Sequence, residues 1–172
     1  MCYKIFFHNY FMIRQATDHD ISAIAEINRQ SFSGNKPPAI AEAWAQSHRG
    51  QGNQYQYFVA EEDGQIVGYI GWEIKGGFAR EVPVIELEQL AVHPAHRGRG
   101  TGKALVEESF QAMKARIKKW QPEVRKMRVF VWTKKDNEKA QKIYRTICKE
   151  GIMGDRDIYG TSEVMLRGTY EL

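Results

Sequence analysis

The chain has 172 residues, of which 42% are hydrophobic and 27% charged, with a formal net charge of +4. These proportions predict one soluble globular domain with a sizeable core. A chain of this length is short for two domains. The small positive charge permits a nucleic-acid surface but does not demand one, because binding of a phosphate-rich ligand would account for the same excess of positive charge. The two cysteines, Cys2 and Cys148, are too few for a disulfide framework or a four-ligand zinc site, which favours a reducing, cytoplasmic setting.

The first eleven residues, MCYKIFFHNYF, differ in character from the rest of the chain. They are apolar and aromatic, yet too short for a membrane span and without the continuous apolar stretch of a signal peptide, so we expect no membrane association. We treat residues 1–11 as an N-terminal extension that fits an upstream start, an expression remnant or an extra edge segment. Residues 12–172 form the predicted domain.

The predicted elements alternate between strands and helices. In the first half these are a strand at 13–16, a helix capped by Thr17, a short helix at 40–48, two strands joined by the hairpin signal Asp63-Gly64, and a strand at 84–92. In the second half they are a helix from Gly100 to near Pro122 with Val106, Phe110, Met113, Ile117 and Trp120 on one face, a strand at 126–133, a helix at 137–149, and strands at 151–158 and 163–167. This order predicts a mixed α/β fold, with a mostly antiparallel central sheet of about six to seven strands flanked by about four helices.

The run RGRGTGK at residues 97–103 lies between a predicted strand and a long helix. The first N–H groups of a helix have no partner within it and attract anions. Glycines at 98, 100 and 102 let the main chain approach a ligand, and Arg97 and Arg99 add charge-assisted contacts to phosphate oxygens. A Walker loop is excluded, because Arg97 and Ala104 occupy its first and last positions. A dinucleotide fingerprint fails because Lys103 replaces its third glycine.

Together with the preceding LAVHPAH, the pattern Arg97-x-x-Gly100-x-Gly102 resembles the acetyl-CoA motif of the GNAT superfamily of N-acetyltransferases. The resemblance covers roughly residues 12–167, from IRQATDHD to beyond Tyr144. It implies a GNAT-type acyl-CoA N-acyltransferase fold and direct transfer of an acetyl group from acetyl-CoA to a primary amine of a small molecule or peptide, with no metal. A homodimer is compatible with it.

The resemblance also implies a set of cofactor-binding residues. The strand end binds the pantetheine arm, the turn binds the pyrophosphate, Asn137 hydrogen-bonds the arm and Lys139, or alternatively Lys142, meets a phosphate. The cofactor-binding set is therefore Leu90, Ala91, Val92, Arg97, Gly98, Arg99, Gly100, Thr101, Gly102, Lys103, Asn137 and Lys139.

Three residues are candidates for catalysis. Glu86 and Glu88 are two apart on a predicted strand, so both carboxylates lie on one face, where one can act as the base that an attacking amine needs. By resemblance Glu86 is slightly favoured as the base, with Glu88 as the alternative. If neither glutamate is catalytic, both are solvated carboxylates on an exposed face of the sheet. Tyr144 lies seven residues after Asn137, hence on the same helix face, and matches the general acid that protonates the departing thiolate.

One departure from the family pattern affects the acceptor side. A glycine expected four residues after Tyr144 comes only at Gly151, so the helix exit should differ, and analogy with the family is a weaker guide to the acceptor than to the cofactor. Its walls are predicted to include Phe32, Trp44, Trp72 and Phe78. Two rival functions stay open: a non-catalytic acyl-CoA-binding regulatory module, and a nucleic-acid surface built from residues 114–119 and 125–128. The second is disfavoured, because such basic runs are usually solvated helix faces.

Overall fold

The computed structural model describes residues 11–33, 36–76, 80–157 and 160–172. Most of the predicted N-terminal extension, and Phe78, lie outside the described residues. Within those ranges the α-helices are α1 (Ile21–Asn28), α2 (Pro38–Arg49), α3 (Thr101–Trp120) and α4 (Glu138–Tyr144). The strands are β1 (Met12–Gln15), β2 (Tyr55–Glu62), β3 (Gln65–Lys75), β4 (Val84–Val92), β5 (Lys126–Lys134), β6 (Gly151–Asp157) and β7 (Ser162–Glu171).

The described strands form one seven-stranded sheet in the order β1-β2-β3-β4-β5-β7-β6. Neighbouring strands are antiparallel except β4 and β5, which run parallel. A parallel pair needs a crossover connection, and α3 supplies it. The predicted mixed, mostly antiparallel sheet flanked by four helices is confirmed.

Helices cover both faces of the sheet, because side chains alternate along each strand. On β2, Phe58 and Ala60 belong to the larger core that α3 completes, whereas Tyr57 and Val59 belong to the core shared with α1 and α2. The predicted apolar face of α3 is buried from Val106 to Ile117. Trp120 is the exception: its side chain is 40% exposed, because the helix ends there and the ring packs under the Arg116 guanidinium at 4.4 Å.

The predicted helix at 137–149 is shorter than expected, since α4 ends at Tyr144. The Thr146 hydroxyl donates a 2.8 Å hydrogen bond to the Ile143 carbonyl, an alternative to continued helix that Ser and Thr side chains offer. The chain then turns back, and the Glu150 N–H donates to the Arg167 carbonyl. The last strand is longer than predicted, because β7 pairs along all of β5.

The first strand is held to the helical layer by Arg14. Its guanidinium donates hydrogen bonds of 2.7 and 2.8 Å to the two carboxylate oxygens of Asp20 and one of 2.7 Å to Glu61 on β2. Asp20 also accepts from the N–H and hydroxyl of Thr17. These hydrogen bonds, the one from Arg14 foremost, lower the pKa of the buried Asp20 carboxyl to about 2.

We predict that Asp20→Asn lowers the free energy of unfolding by about 2 kcal/mol at pH 7, at 1.36 kcal/mol per pKa unit. A carboxyl with a lowered pKa stabilises the fold above its unfolded pKa and loses that contribution as pH falls through its folded pKa. The difference between wild type and Asp20→Asn should therefore shrink between about pH 4 and pH 2 in urea unfolding. Asp18→Asn is the control, because Asp18 is exposed and its loss should cost under about 0.5 kcal/mol. A pH-independent difference would contradict this origin.

Candidate active site

The central feature of the site is the separation of β4 from β5. The two strands pair only where Val84–Leu87 face Arg128–Val131. Beyond that, β4 stays paired with β3 up to Val92, and β5 stays paired with β7 up to Lys134. The gap between the separated ends is an open cleft of about 940 Å³.

Main-chain groups of β4 face this cleft. The His93 N–H donates to the Val67 carbonyl on β3, and successive residues of a strand direct their N–H and C=O groups to opposite sides. The main-chain N–H and C=O groups of Ala91 therefore point toward β3, and those of Leu90 and Val92 point toward the cleft. Consistent with this, the Val92 carbonyl accepts a 2.9 Å hydrogen bond from Arg97 Nε at the cleft mouth.

The glycine turn adds further free donors at the mouth of the cleft. Gly98 and Gly100 have φ of +80° and +87°, a left-handed conformation that a Cβ opposes. The first backbone bond of α3 runs from Ala104 to Gly100. Over the described residues, no protein group accepts a hydrogen bond from the N–H groups of 98–103. Such a row of donors at the positive end of a 20-residue helix suits an anion.

The basic side chains around the turn are placed differently. Arg97 and Lys103 line the cleft. Arg99 does not line it, and its guanidinium lies 3.4 Å from the Glu62 carboxylate. Glu62 also contacts His96 at 2.6 Å. The turn is thus attached to β2 through Glu62, and Arg99 contributes to this attachment.

The far wall of the cleft comes from α4. Asn137 caps the helix by accepting from the Ala140 N–H at 3.2 Å, and Lys139 lines the same wall. Tyr144 lines the cleft with its side chain 8% exposed. Burial raises the pKa of its phenol to about 12, so the hydroxyl stays protonated at neutral pH. Within the described part of the chain its hydroxyl has no hydrogen-bond partner.

The two glutamates of β4 have different surroundings. Glu88 lines the cleft and accepts a hydrogen bond from the Tyr55 hydroxyl at 2.5 Å. Glu86 does not line the cleft: its carboxylate lies 2.9 Å from Lys75 Nζ. Burial raises the pKa of Glu86, and Lys75 opposes that rise. The site therefore brings together every predicted residue except Glu86 and Arg99.

A β-bulge accounts for this difference. In the β3–β4 register Trp72 pairs with Leu87 and Gly71 with Gln89, so Glu88 is an extra residue. A bulge bends the strand and redirects a side chain. Here it occurs where β4 leaves β5, which places Glu88 at the cleft.

Several lining residues were missed in the sequence. Trp132, Thr133 and Lys134 line the cleft from β5, and Glu163 from β7. Of the predicted acceptor walls, Phe32 lines the cleft. The prediction for Trp72 is wrong, because Trp72 is buried in the core and donates to Ser109 at 2.8 Å.

No three His, Cys, Asp or Glu side chains in the described ranges are grouped so that they could hold a metal ion. No helix in the same ranges has the length and apolarity needed to cross a membrane.

We predict different effects on stability for two alanine substitutions in the glycine turn. Gly100→Ala should lower the free energy of unfolding by roughly 1–2 kcal/mol, because its φ of +87° is left-handed. Gly102→Ala should be neutral or stabilising, because Gly102 is helical and an added Cβ would lie 3.6 Å from Ile143, an ordinary contact. Urea unfolding of both variants measures this, and equal losses would contradict it.

Comparisons with known proteins agree with this geometry. The family model described as "Acetyltransferase (GNAT) family" matches residues 21–148. An N-alpha-acetyltransferase of Sulfurisphaera tokodaii is 32% identical over 110 residues, which span 60% of this chain and 63% of the relative. The chain thus matches less than two thirds of that relative's length.

Two solved structures share the fold. A ribosomal-protein-alanine N-acetyltransferase from Brucella melitensis is 19% identical with a TM-score of 0.67, covering 92% of this chain and 99% of the other. A PaiA N-acetyltransferase from Thermoplasma acidophilum in complex with coenzyme A is 19% identical with a TM-score of 0.59, covering 93% and 99%. On the family match over most of its length, this chain belongs to the GNAT acetyltransferase family.

Proposed function

We propose that this protein transfers the acetyl group of acetyl-CoA to a primary amine by direct attack. The observation that carries the proposal is the cleft between β4 and β5, which runs into the free N–H groups of the glycine turn. It offers an anion site at one end and a strand edge along its length. The two-cysteine composition supports a reducing, cytoplasmic setting for this activity.

The residues present fit the parts of acetyl-CoA. Residues 98–103 offer their N–H groups to the pyrophosphate, and Arg97 and Lys103 add positive charge at the same end. Leu90 and Val92 offer main-chain groups to the amide-containing arm, as a neighbouring strand would. Ala91 supports this edge through its paired side, and Asn137, Lys139 and Thr101 line the cleft around it.

Bound acetyl-CoA supplies a thioester, an acyl group that an amine can attack. The main-chain N–H of Leu90, directed into the cleft, stabilises the negative charge that develops on the thioester oxygen. Glu88 accepts the proton that the amine loses, while the new C–N bond forms and the C–S bond breaks. The cleft position of Glu88 and the ion pair of Glu86 with Lys75 favour Glu88 as the base, with Glu86 the alternative.

Tyr144 assists the departing sulfur. Its hydroxyl is protonated at neutral pH, as phenols ordinarily are, and burial raises its pKa further, to about 12. Tyr144 donates a hydrogen bond to the developing thiolate and transfers this proton to the sulfur as the C–S bond breaks. A proton from solvent then restores the phenol.

The acceptor that we propose first is the α-amino group of a polypeptide. The relative from Sulfurisphaera tokodaii is named for N-alpha acetylation, and the Brucella melitensis structure for acetylation of a ribosomal-protein alanine. The open cleft and the exposed ring of Phe32 beside it suit an extended acceptor. Small amines are the second class to test. A non-catalytic acyl-CoA-binding module is the alternative function.

We predict that Glu88→Gln and Tyr144→Phe each lower kcat by roughly 100-fold, because acid–base groups contribute about 10²–10⁴. Glu86→Gln is the matched control and should lower kcat less than about tenfold. Thiol release from acetyl-CoA measures this, with peptides of different N-terminal residues, polyamines, amino acids and small amines as acceptors.

Each other outcome has a defined meaning. A larger loss in Glu86→Gln than in Glu88→Gln would move the base to Glu86. Unchanged turnover in both Glu88→Gln and Tyr144→Phe would refute the mechanism. Silence across all acceptors, with calorimetric binding of acetyl-CoA intact, would support the binding module.

A further inference from the structure

The hydrogen bond to Glu88 comes from a side chain two strands away. Tyr55 lies on β2, and its phenol passes over β3 to reach Glu88 on β4. The residue of β3 beneath it is Gly71, where any Cβ would overlap the Tyr55 hydroxyl. The absence of a side chain at Gly71 is therefore what opens the path from Tyr55 to Glu88.

The Tyr55 ring is held on both sides. It is 1% exposed and makes edge-on contacts with His48 from α2, at 4.7 Å between ring centroids, and with Tyr57, at 4.9 Å. Burial raises the pKa of its phenol well above its usual range, so the group is neutral. A neutral hydroxyl facing a carboxylate donates to it.

His48 does not compete for this role. Its Nδ1 lies 2.9 Å from the Trp44 carbonyl oxygen, which can only accept, so Nδ1 carries the proton. Its Nε2 lies 3.9 Å from the Glu88 carboxylate, beyond hydrogen-bond distance. Among the described residues, Tyr55 is thus the hydrogen-bond donor to Glu88.

We propose that Tyr55 is a positioning residue that fixes the Glu88 carboxylate at the cleft, and that Gly71 is glycine to permit this contact. The inference rests on the proposed role of Glu88 as the base. A carboxylate held by one donor keeps its second oxygen free to accept the proton of the amine.

The other ionisable groups around Glu88 define what the test must control. They are His48 from α2, Tyr57 from β2, Tyr69 from β3, and Glu86 on the same strand with Lys75 beside it. Tyr55→Phe changes none of these charges. It removes one neutral donor and keeps the ring contacts.

The experiment measures kcat, and KM for the amine, in wild type, Tyr55→Phe and Gly71→Ala at neutral pH. We expect kcat to fall about tenfold in both variants, because the Glu88 carboxylate loses the donor that holds it in place, while KM and the affinity for acetyl-CoA stay close to wild type. Tyr170→Phe is the matched control: its hydroxyl donates to the Ile147 carbonyl and contacts neither Tyr55 nor Glu88, so its kinetic constants should match wild type.

A double variant separates this inference from the proposed function. If Tyr55 acts through Glu88, Tyr55→Phe should add no further loss in a Glu88→Gln background. A wild-type kcat in Tyr55→Phe, with Glu88→Gln inactive, would overturn the positioning role and leave the base intact. An active Glu88→Gln would overturn both. Calorimetric binding of acetyl-CoA checks that each variant folds, and a loss from Tyr55→Phe that persists in the Glu88→Gln background would mean a structural role only and overturn the positioning role.

Discussion

The divergence of β4 and β5 is the constraint on which the rest of the structure depends. Parallel neighbours in a sheet normally satisfy each other's main-chain groups, and these two stop doing so after Leu87 and Val131. Each strand keeps its outer partner, so neither can close the gap. Polar main-chain groups left at such an edge need water or a ligand. Because α3 is the crossover between the two strands, its N-terminus necessarily begins at the mouth of the same gap.

Different parts of the cleft consequently favour ligand groups of opposite charge. At one end, backbone N–H groups and a helix terminus favour negative charge; deeper in, Glu88 favours a cation or a proton. Tyr144 lies on the opposite wall, on a short helix whose cap is Asn137. A donor with phosphates and an acceptor with an amine can therefore enter the same space from regions of opposite preference. The contacts of Glu62 with His96 and Arg99 attach the turn to β2, the strand that also carries Tyr55.

Prediction from the sequence succeeded where a few neighbouring residues determine the conformation. The Asp63-Gly64 hairpin and the glycine turn were predicted correctly because the residue types at 63, 64, 98 and 100 are those that adopt a positive φ. The end of α4, the exposure of Trp120 and the burial of Trp72 depend on packing between distant segments, and periodicity did not reveal them. The choice between Glu86 and Glu88 depends on a bulge in strand pairing and on Lys75, neither of which strand alternation can show.

The bulge at Glu88 also shifts the phase of the strand. Before it, the odd-numbered Ile85 and Leu87 pack toward α3; after it, the even-numbered Leu90 and Val92 do. One inserted residue thus gives β4 two side-chain registers. The core determines the register before the bulge, and the cleft determines the register after it. A substitution at position 88 leaves the register of β4 unchanged, whereas a deletion there would remove the bulge, so that the residues after it that face the cleft and those that face the core would exchange sides of the strand.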